Sequence, residues 1–154
     1  KNCPTGFYKG DGETEDYAVL LSAPMPIDLG IPSIQHPVGD VCLDTNANIR
    51  VTIRNYGTET QTFSTDNPFT VTATVTGAVA GTYTKTITEG TLAPSGEMPV
   101  KIPNVNLSGV GSYQVSFQLT YDNDQYLTNN TRSCQAVVSD NTVQQLPYVD
   151  PFNL

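Results

Sequence analysis

The sequence predicts an all-β protein: an immunoglobulin-like antiparallel sandwich of two sheets with about seven strands. Apolar and polar residues alternate in several segments, which is the two-residue period of a half-buried strand. Long windows with helical spacing of apolar residues are absent. Gly, Pro, Asn and Asp separate the alternating segments at fairly regular intervals, as in sandwiches. A closed barrel is the alternative architecture.

Three segments show the clearest alternation: residues 47–55, 69–77 and 111–122. In each segment we expect the apolar side chains to face the core and the Arg, Thr, Gln and Ser side chains between them to face water. Threonine on the wet face still favours an extended backbone. The predicted core residues of these strands are Ile49, Val51, Ile53, Phe69, Val71, Ala73, Val75, Tyr113, Val115, Phe117, Leu119 and Tyr121.

Weaker alternation, bounded by turn residues, predicts the remaining strands. They span residues 27–34, 83–88, 98–102 and 133–139. Pro99 and Pro103 flank the third of these strands. Because proline cannot donate a backbone hydrogen bond to a ladder, this strand is predicted to be very short or to lie at a sheet edge.

Composition favours one main domain in an extracellular setting. The 154 residues suit a single core. Lys and Arg number 7 against 15 Asp and Glu, which gives a net charge of -8. This charge repels phosphate backbones and anionic lipids, so nucleic acid and membrane partners are not expected. Only 14% of residues are charged, and uncharged polar residues are plentiful, which is typical of secreted β-proteins.

The three cysteines are Cys3, Cys42 and Cys134, and none has the CxxC spacing of a zinc or redox site. Cys42 comes just before the first core strand and Cys134 lies within the last. In an exported protein we therefore predict a disulfide between Cys42 and Cys134, with Cys3 left over.

Several motifs in order resemble the CARDB (cell adhesion related) domain found in secreted and surface proteins of Bacteroidetes. They are "IDLGIPSI", "NIRVTIRNYGT", "GTLAPSG", "VGSYQV" and "DND" followed by "TNNT". The resemblance covers about residues 26–139. It implies an immunoglobulin-like domain that is not catalytic and acts as a spacer, a display module or an adhesion module.

Both flanks resemble pieces of other domains. "GETEDYAVLL", residues 12–21, is similar to the closing strand of a GEVED domain, so residues 1–25 are predicted to be its remnant. "LPYVDPF", residues 146–152, is similar to the opening of a jelly-roll module, so residues 140–154 are predicted to be a linker and the start of that module. The resemblance implies a slice of a large secreted or cell-surface protein, with neighbouring domains as partners.

GEVED domains often precede such sandwiches in pappalysin-like secreted metalloproteases. The alternative function is therefore an accessory module that binds glycan or peptide for an attached enzyme. Tyr56, Tyr83 and Tyr126 could stack on sugars if they align, although the chain has no tryptophan. A surface protein is the other candidate partner.

Catalytic motifs are absent from the sequence. His36 is the single histidine, and no GxSxG, HExxH, phosphate-binding or dinucleotide-binding pattern occurs. A catalytic site needs a nucleophile, base or metal held by an oriented partner. We therefore predict that the chain is not an enzyme and has no catalytic residues.

Calcium is the candidate cofactor, because it accepts carboxylate, amide and carbonyl oxygens in flexible geometry. Two stretches offer such ligands. The first contains Asp11, Glu13, Glu15 and Asp16, and the second, within "TYDNDQYLTNNTR", contains Asp122, Asp124, Asn129 and Asn130. The competing interpretation is that Asp and Asn simply bond to their own backbone in tight turns.

Overall fold

The computed structural model of the protein describes residues 24–140, which form ten β-strands and one 3-10 turn. Five strands form one sheet in the order β2-β10-β9-β5-β6, and three form the other in the order β1-β3-β8. A small pair, β4-β7, stands beside them. The strands are β1 (Leu29–His36), β2 (Gly39–Val41), β3 (Asp44–Asn55), β4 (Gln61–Thr62), β5 (Phe69–Gly77), β6 (Gly81–Ile87), β7 (Thr91–Leu92), β8 (Glu97–Leu107), β9 (Gly111–Tyr121) and β10 (Thr131–Val138).

The predicted all-β sandwich is confirmed, and each of the seven predicted strands is present. The three additional strands, β2, β4 and β7, are two or three residues long, too short to show a two-residue period. The proline-flanked strand was predicted to be very short or to lie at a sheet edge, and the second outcome is confirmed. β8 does lie at the edge of its sheet, but it is 11 residues long rather than short.

The inner faces of the two sheets form one core. All twelve predicted core side chains are at most 4% exposed. Phe63 adds an edge-to-face contact with Phe69, with ring centroids 4.6 Å apart. Thr52 is the exception to the predicted alternation, because it was expected in water and is buried. Gln35 of the neighbouring strand β1 lies alongside it and donates a hydrogen bond from Nε2 to Thr52 Oγ1 at 3.0 Å.

One strand pairing departs from the predicted antiparallel pattern. β2 pairs with β10 in parallel, with Gly39 opposite Ala136 and Val41 opposite Val138. The chain therefore crosses from the three-stranded sheet to the five-stranded sheet between β1 and β2. This crossing places the segment after β1 against the last strand.

Asn55 joins two of the motifs noted in the sequence. Its side chain is fully buried, and Nδ2 donates to the backbone oxygens of Glu59 at 2.8 Å and Leu92 at 2.9 Å. Its Oδ1 accepts from the backbone N–H of Gly57 at 2.9 Å. The Asn55 backbone also exchanges hydrogen bonds with Ser95 and Gly96. One asparagine thus holds "RNYGT" against "LAPSG".

The sandwich has two ends, which we name by a residue at each. At the Asp28 end, β1 and β10 begin and β9 stops, so residues 24–28 and the 122–130 connection meet there. At the Cys42 end, β1 and β10 stop, and β2 leads into Cys42. Within residues 24–140, no helix is long and apolar enough to cross a membrane.

Candidate functional site

The connection between β9 and β10, residues 122–130, is fastened to the segment that precedes β1. The Gln125 N–H donates to the Ile27 carbonyl at 3.0 Å, and the Ile27 N–H donates to Gln125 Oε1 at 3.1 Å. The Asp28 carbonyl accepts a hydrogen bond from the Tyr56 N–H at 2.7 Å. Three segments distant in sequence are therefore held together at the Asp28 end.

Local turn chemistry explains part of this connection. Asp124 Oδ1 accepts from the Tyr126 N–H at 3.0 Å, and the Asp124 N–H donates to the Tyr121 carbonyl at 3.1 Å. A 3-10 turn follows over Leu127–Asn129. The prediction that Asp bonds to its own backbone in this stretch is confirmed for Asp124.

The two asparagines do something different, because their amides reach carboxylates. Asn129 Nδ2 donates to Asp28 Oδ1 at 2.7 Å, and Asn130 Nδ2 donates to Asp124 Oδ2 at 2.8 Å. Asp28 and Asn130 are both buried. We call Asp28, Asp124, Asn129 and Asn130 the carboxylate–amide cluster.

The charges in the cluster are poorly compensated. Burial raises the pKa of Asp124, and the negative charge of Asp28 acts in the same direction. Hydrogen bonds from the Tyr126 N–H and the Asn130 amide lower this pKa, but burial outweighs them. Within residues 24–140 neither Asp28 nor Asp124 forms a salt bridge. The cluster is therefore a partly buried concentration of negative charge.

Two amide oxygens in the cluster lack partners. Oδ1 of Asn129 and Oδ1 of Asn130 are buried and accept no hydrogen bond. A buried polar atom without a partner costs about 1–3 kcal/mol. Such atoms number only a few per hundred residues in folded proteins, so two on successive residues need an explanation.

The predicted calcium ligands are brought together only in part. Asp124, Asn129 and Asn130 belong to the cluster, whereas Asp122 is exposed and forms no hydrogen bond with it. Sequence reasoning missed Asp28, which lies about a hundred residues earlier and has no local motif. Asp11, Glu13, Glu15 and Asp16 lie outside the described residues. Within residues 24–140, no group of three or more His, Cys, Asp or Glu side chains is arranged to hold a metal ion, so asparagine oxygens would have to contribute.

The three candidate sugar-stacking tyrosines do not form one platform. Tyr56 is exposed, but the Arg54 guanidinium lies over its ring, 5.3 Å from the centroid. Tyr126 is exposed at the same end. Tyr83 is on β6, where it packs partly against the core and its hydroxyl accepts from the Asn106 N–H at 3.0 Å.

His36 ends β1 and is half-buried at the Cys42 end. It lines an open groove with Val38, Cys42 and Leu43. His36 and the Cys42 thiol both line this groove, but among residues 24–140 no hydrogen bond orients one toward the other, as catalysis would need. Burial raises the pKa of Asp124 and of the Cys134 thiol, and neither residue lines the groove.

The predicted Cys42–Cys134 disulfide is not formed: both cysteines are free. The parallel register explains this. Val41 lies opposite Val138, so Cys42 falls about five residues along β10 from Cys134, roughly 16 Å away. A disulfide spans at most about 7 Å between Cα atoms. Cys134 instead lies beside Pro37, and its Sγ donates to the Pro37 carbonyl at 3.0 Å.

Comparison with known proteins identifies the architecture. No family model matches the chain, and no curated protein matches it. A CARDB domain from Pyrococcus furiosus, solved in complex with di-metal ions, superposes with a TM-score of 0.55 at 16% identity, covering 77% of this chain and 98% of that one. This chain has the fold of a CARDB domain.

Two further solved structures agree. The solution structure of the Pyrococcus furiosus CARDB domain gives a TM-score of 0.52 at 19% identity, covering 76% of this chain and 98% of that one. A domain of a Methanosarcina acetivorans protein, whose name proposes a cell-surface location, superposes with a TM-score of 0.56 at 22% identity. The match covers 79% of this chain and 100% of that one. These identities show the shared fold alone. The Bacteroidetes setting and the GEVED-like and jelly-roll-like flanks stay predictions.

Proposed function

We propose that the chain contributes a non-catalytic β-sandwich that spaces and displays neighbouring segments of a secreted or cell-surface protein, with adhesion as the purpose of the display. The observation that carries this proposal is the position of the two attachment points. Residues 24–28 lie at the Asp28 end, where β1 begins, and β10 finishes at Val138 at the Cys42 end. Whatever precedes and follows the sandwich is therefore attached at opposite ends.

The length of the sandwich suits a spacer. β3 has 12 residues and β9 has 11, and both run between the two ends. At about 3.3 Å per residue these strands are roughly 35–40 Å long. Each such module would add about this distance between its neighbours.

Strand pairing also suits a module under tension. Force between the two ends acts along the strands, because β1 and β10 both run from the Asp28 end to the Cys42 end. β1 is hydrogen-bonded along β3, and β2 is hydrogen-bonded along β10. Sliding these strands past their partners loads many hydrogen bonds at once, whereas peeling would break them one at a time.

The surface supports an extracellular setting. Threonines cover the outer face of the large sheet next to its β6 edge, namely Thr74, Thr76, Thr82, Thr84 and Thr86, all exposed. This face is polar but almost uncharged. The Methanosarcina acetivorans neighbour, with its proposed cell-surface location, supports the same setting.

One observation favours the accessory-module alternative in its peptide-binding form. Within the five-stranded sheet β6 pairs with β5 only and forms the sheet edge, so a peptide strand could add to its outer side. The glycan-binding form is less favoured, because Tyr83 is separated from Tyr56 and Tyr126. An attached secreted enzyme such as a metalloprotease could use the same end-to-end geometry.

Single-molecule pulling tests the spacer role. In a variant with Cys3, Cys42 and Cys134 replaced by serine, handles at the two chain termini would load the strands along their length. A matched variant with one handle at the amino terminus and the other at Asn123→Cys, exposed at the Asp28 end, would peel the sheets apart. We expect a higher unfolding force with the terminal handles. Equal forces, or a higher force in the peeling geometry, would contradict a load-bearing role.

A further inference from the structure

Four strands form the edges of the two main sheets, and three of them are poorly suited to pairing with another strand. β8 contains Pro99 and Pro103, which lack backbone donors, and its pairing with β3 shifts register twice. β1 contains Pro32 and also shifts register twice against β3. β2 is only three residues long. Proline, irregular register and short length are features that keep an edge strand from accepting a partner strand.

β6 differs from these three edge strands. Its seven residues, Gly81–Ile87, pair with β5 without a register shift and include no proline. Lys85 is its single charged residue. A regular edge strand presents a row of backbone N–H and C=O groups that have no partner within its own sheet. The outer side of β6 is therefore the edge of the two main sheets, within residues 24–140, that best accepts another strand.

The side chains of β6 leave this edge accessible. Three exposed threonines lie on its solvent face, namely Thr82, Thr84 and Thr86. On the other face, the Tyr83 ring lies over Gly81, where an added Cβ would come within 2.7 Å of the tyrosine hydroxyl. The same hydroxyl accepts a hydrogen bond from the Asn106 N–H of β8 at 3.0 Å. Tyr83 is therefore held over its own strand and against β8.

We propose that β6 pairs with β6 of a second copy of this chain, antiparallel and about a two-fold axis at Thr84. Each copy offers the same edge, so a two-fold axis relates the copies and closes the assembly at a dimer. In this register Thr84 meets Thr84 of the second copy, and Thr82 meets Thr86 of the second copy. The two five-stranded sheets then form one sheet of ten strands.

The opposite face of β6 selects the same register. Lys85 meets Tyr83 of the second copy, which places a cation beside an aromatic ring. Sliding one copy by two residues would set Lys85 opposite Lys85 of the second copy, and like charges directly opposite each other destabilise a strand pair. Sliding it the other way would leave Ile87 outside the paired segment. The register centred on Thr84 pairs all seven residues and avoids both problems, so the strand is complementary to itself.

The charges of the chain permit this contact. The net charge of -8 opposes close approach of two copies in general. β6, however, contains no Asp or Glu, and the neighbouring outer-face residues of β5 are threonines. A strand of another protein would find the same regular edge, but the matched threonines and the Lys85–Tyr83 pairing favour a second copy.

The dimer is expected to be weak and to bring modules together from opposite directions. One pair of seven-residue strands is smaller than the interface of a stable complex, which buries at least about 1,200 Å². Many displayed copies would raise the overall affinity by multivalency. Because the paired strands are antiparallel, the Asp28 end of one module lies beside the Cys42 end of the other. The pairing goes beyond the spacer function and does not depend on it.

Analytical ultracentrifugation of the complete 154-residue chain, with a reductant present, tests the dimer. The average mass should rise toward twice the monomer mass between about 10 μM and 1 mM. Thr84→Asp sets two carboxylates opposite each other at the axis and should weaken association at least about tenfold. The matched control is Thr74→Asp, which adds the same charge to the same face on β5, opposite Thr82, and should keep the rise in mass.

Three results would overturn the proposal. One is an unsubstituted chain that stays monomeric over the whole concentration range, which would leave the β6 edge to a strand of another protein. Another is full association of Thr84→Asp, which would locate the contact elsewhere on the chain. The third is equal loss of association in Thr74→Asp, which would make general charge repulsion the cause.

Cysteine cross-linking tests the register. In a background with Cys3, Cys42 and Cys134 replaced by serine, Thr84→Cys should form a disulfide-linked dimer on mild oxidation. Thr82→Cys should not, because the two copies of residue 82 would lie about 13 Å apart, beyond the roughly 7 Å that a disulfide spans. A mixture of Thr82→Cys and Thr86→Cys should cross-link. Equal cross-linking of Thr84→Cys and Thr82→Cys alone, or none in any sample, would contradict the register.

A measurement on the unsubstituted chain keeps the proposal testable if a variant folds poorly. Raising the protein concentration should shift the backbone amide signals of β6 in nitrogen-15 NMR spectra more than those of β8, the edge strand of the other sheet. Concentration-dependent shifts confined to residues outside β6, or no shifts, would contradict pairing at this edge.

Discussion

The two ends of the sandwich differ in the side chains that hold their connecting segments. At the Asp28 end, buried polar side chains hold together segments from both sheets, through Asn55 and the carboxylate–amide cluster. At the Cys42 end, the exposed groups include the aliphatic residues Val38, Leu43 and Val110 and a free thiol. Polar bonding also occurs at the Cys42 end, where the Tyr113 hydroxyl accepts from the Gly109 N–H and donates to the Gly109 carbonyl, but the amide–carboxylate contacts lie at the Asp28 end.

This difference shows what buried polar residues contribute to a small sandwich. Hydrophobic burial holds the two sheets face to face along their whole length but does not fix the loops at either end. Directional hydrogen bonds from buried amides fix the Asp28 end. The same low-dielectric environment makes every unpaired oxygen there costly.

The largest expected effect comes from removing the central amide of the polar end. Asn55→Ala would leave the Gly57 N–H and the Glu59 and Leu92 carbonyls without their partner. We expect it to lower the free energy of unfolding by about 3 kcal/mol, measured by denaturant titration.

The matched control lies at the other end. Asn106→Ala removes a half-buried asparagine whose Oδ1 caps only the exposed Ser108 N–H, so the loss should stay below about 1 kcal/mol. If both substitutions cost the same, the two ends would not differ in the way described.

The core of this fold could be predicted from the sequence because its signal is local. Alternating residues in β3, β5 and β9 identify the strands and the buried face, since side chains alternate at every step of a strand. The edge position of β8 followed from proline, which lacks a backbone donor. Short strands such as β2 carry no period and were missed.

The cluster could be predicted only in part because one of its four residues, Asp28, is distant in sequence from the other three. The Asp and Asn content of residues 122–130 indicated candidate ligands, and Asp124, Asn129 and Asn130 are in the cluster. Asp28 was missed because only the folded chain brings it to Asn129. The disulfide prediction was wrong for a related reason: strand order suggested proximity, but the parallel register of β2 separates the two sulfurs.

The two cysteines should differ in thiol reactivity. This effect is smaller than the loss of stability expected for Asn55→Ala. Burial raises the pKa of the Cys134 thiol, and its Sγ donates to Pro37, whereas Cys42 is exposed. In a Cys3→Ser background at pH 8, we expect Cys42 to react with a maleimide at least about tenfold faster than Cys134, because the thiolate is the nucleophile. The two maleimide reaction rates are measured by mass spectrometry of peptides from samples taken over time.

The pH dependence of the same reaction sharpens this prediction. The pKa of Cys134 is raised in the folded state, so its thiolate forms only above the usual pH range of a cysteine. The stabilisation of the fold by the buried thiol is present at low pH and is lost as the pH rises through this raised pKa. Equal rates for the two cysteines, or a Cys42–Cys134 disulfide after mild oxidation, would contradict the register described for β2 and β10.

The most direct test of the contrast between the two ends is backbone hydrogen exchange measured by NMR on the chelator-treated chain. The Gly57 and Gln125 amides at the Asp28 end donate to backbone carbonyls and should exchange slowly. The Leu43 and Val110 amides at the Cys42 end lie in exposed connections and should exchange fast. Slow exchange at the first pair and fast exchange at the second would support a polar network that holds the Gly57 and Gln125 segments more firmly than the Leu43 and Val110 connections. Equal exchange rates at both ends would contradict it.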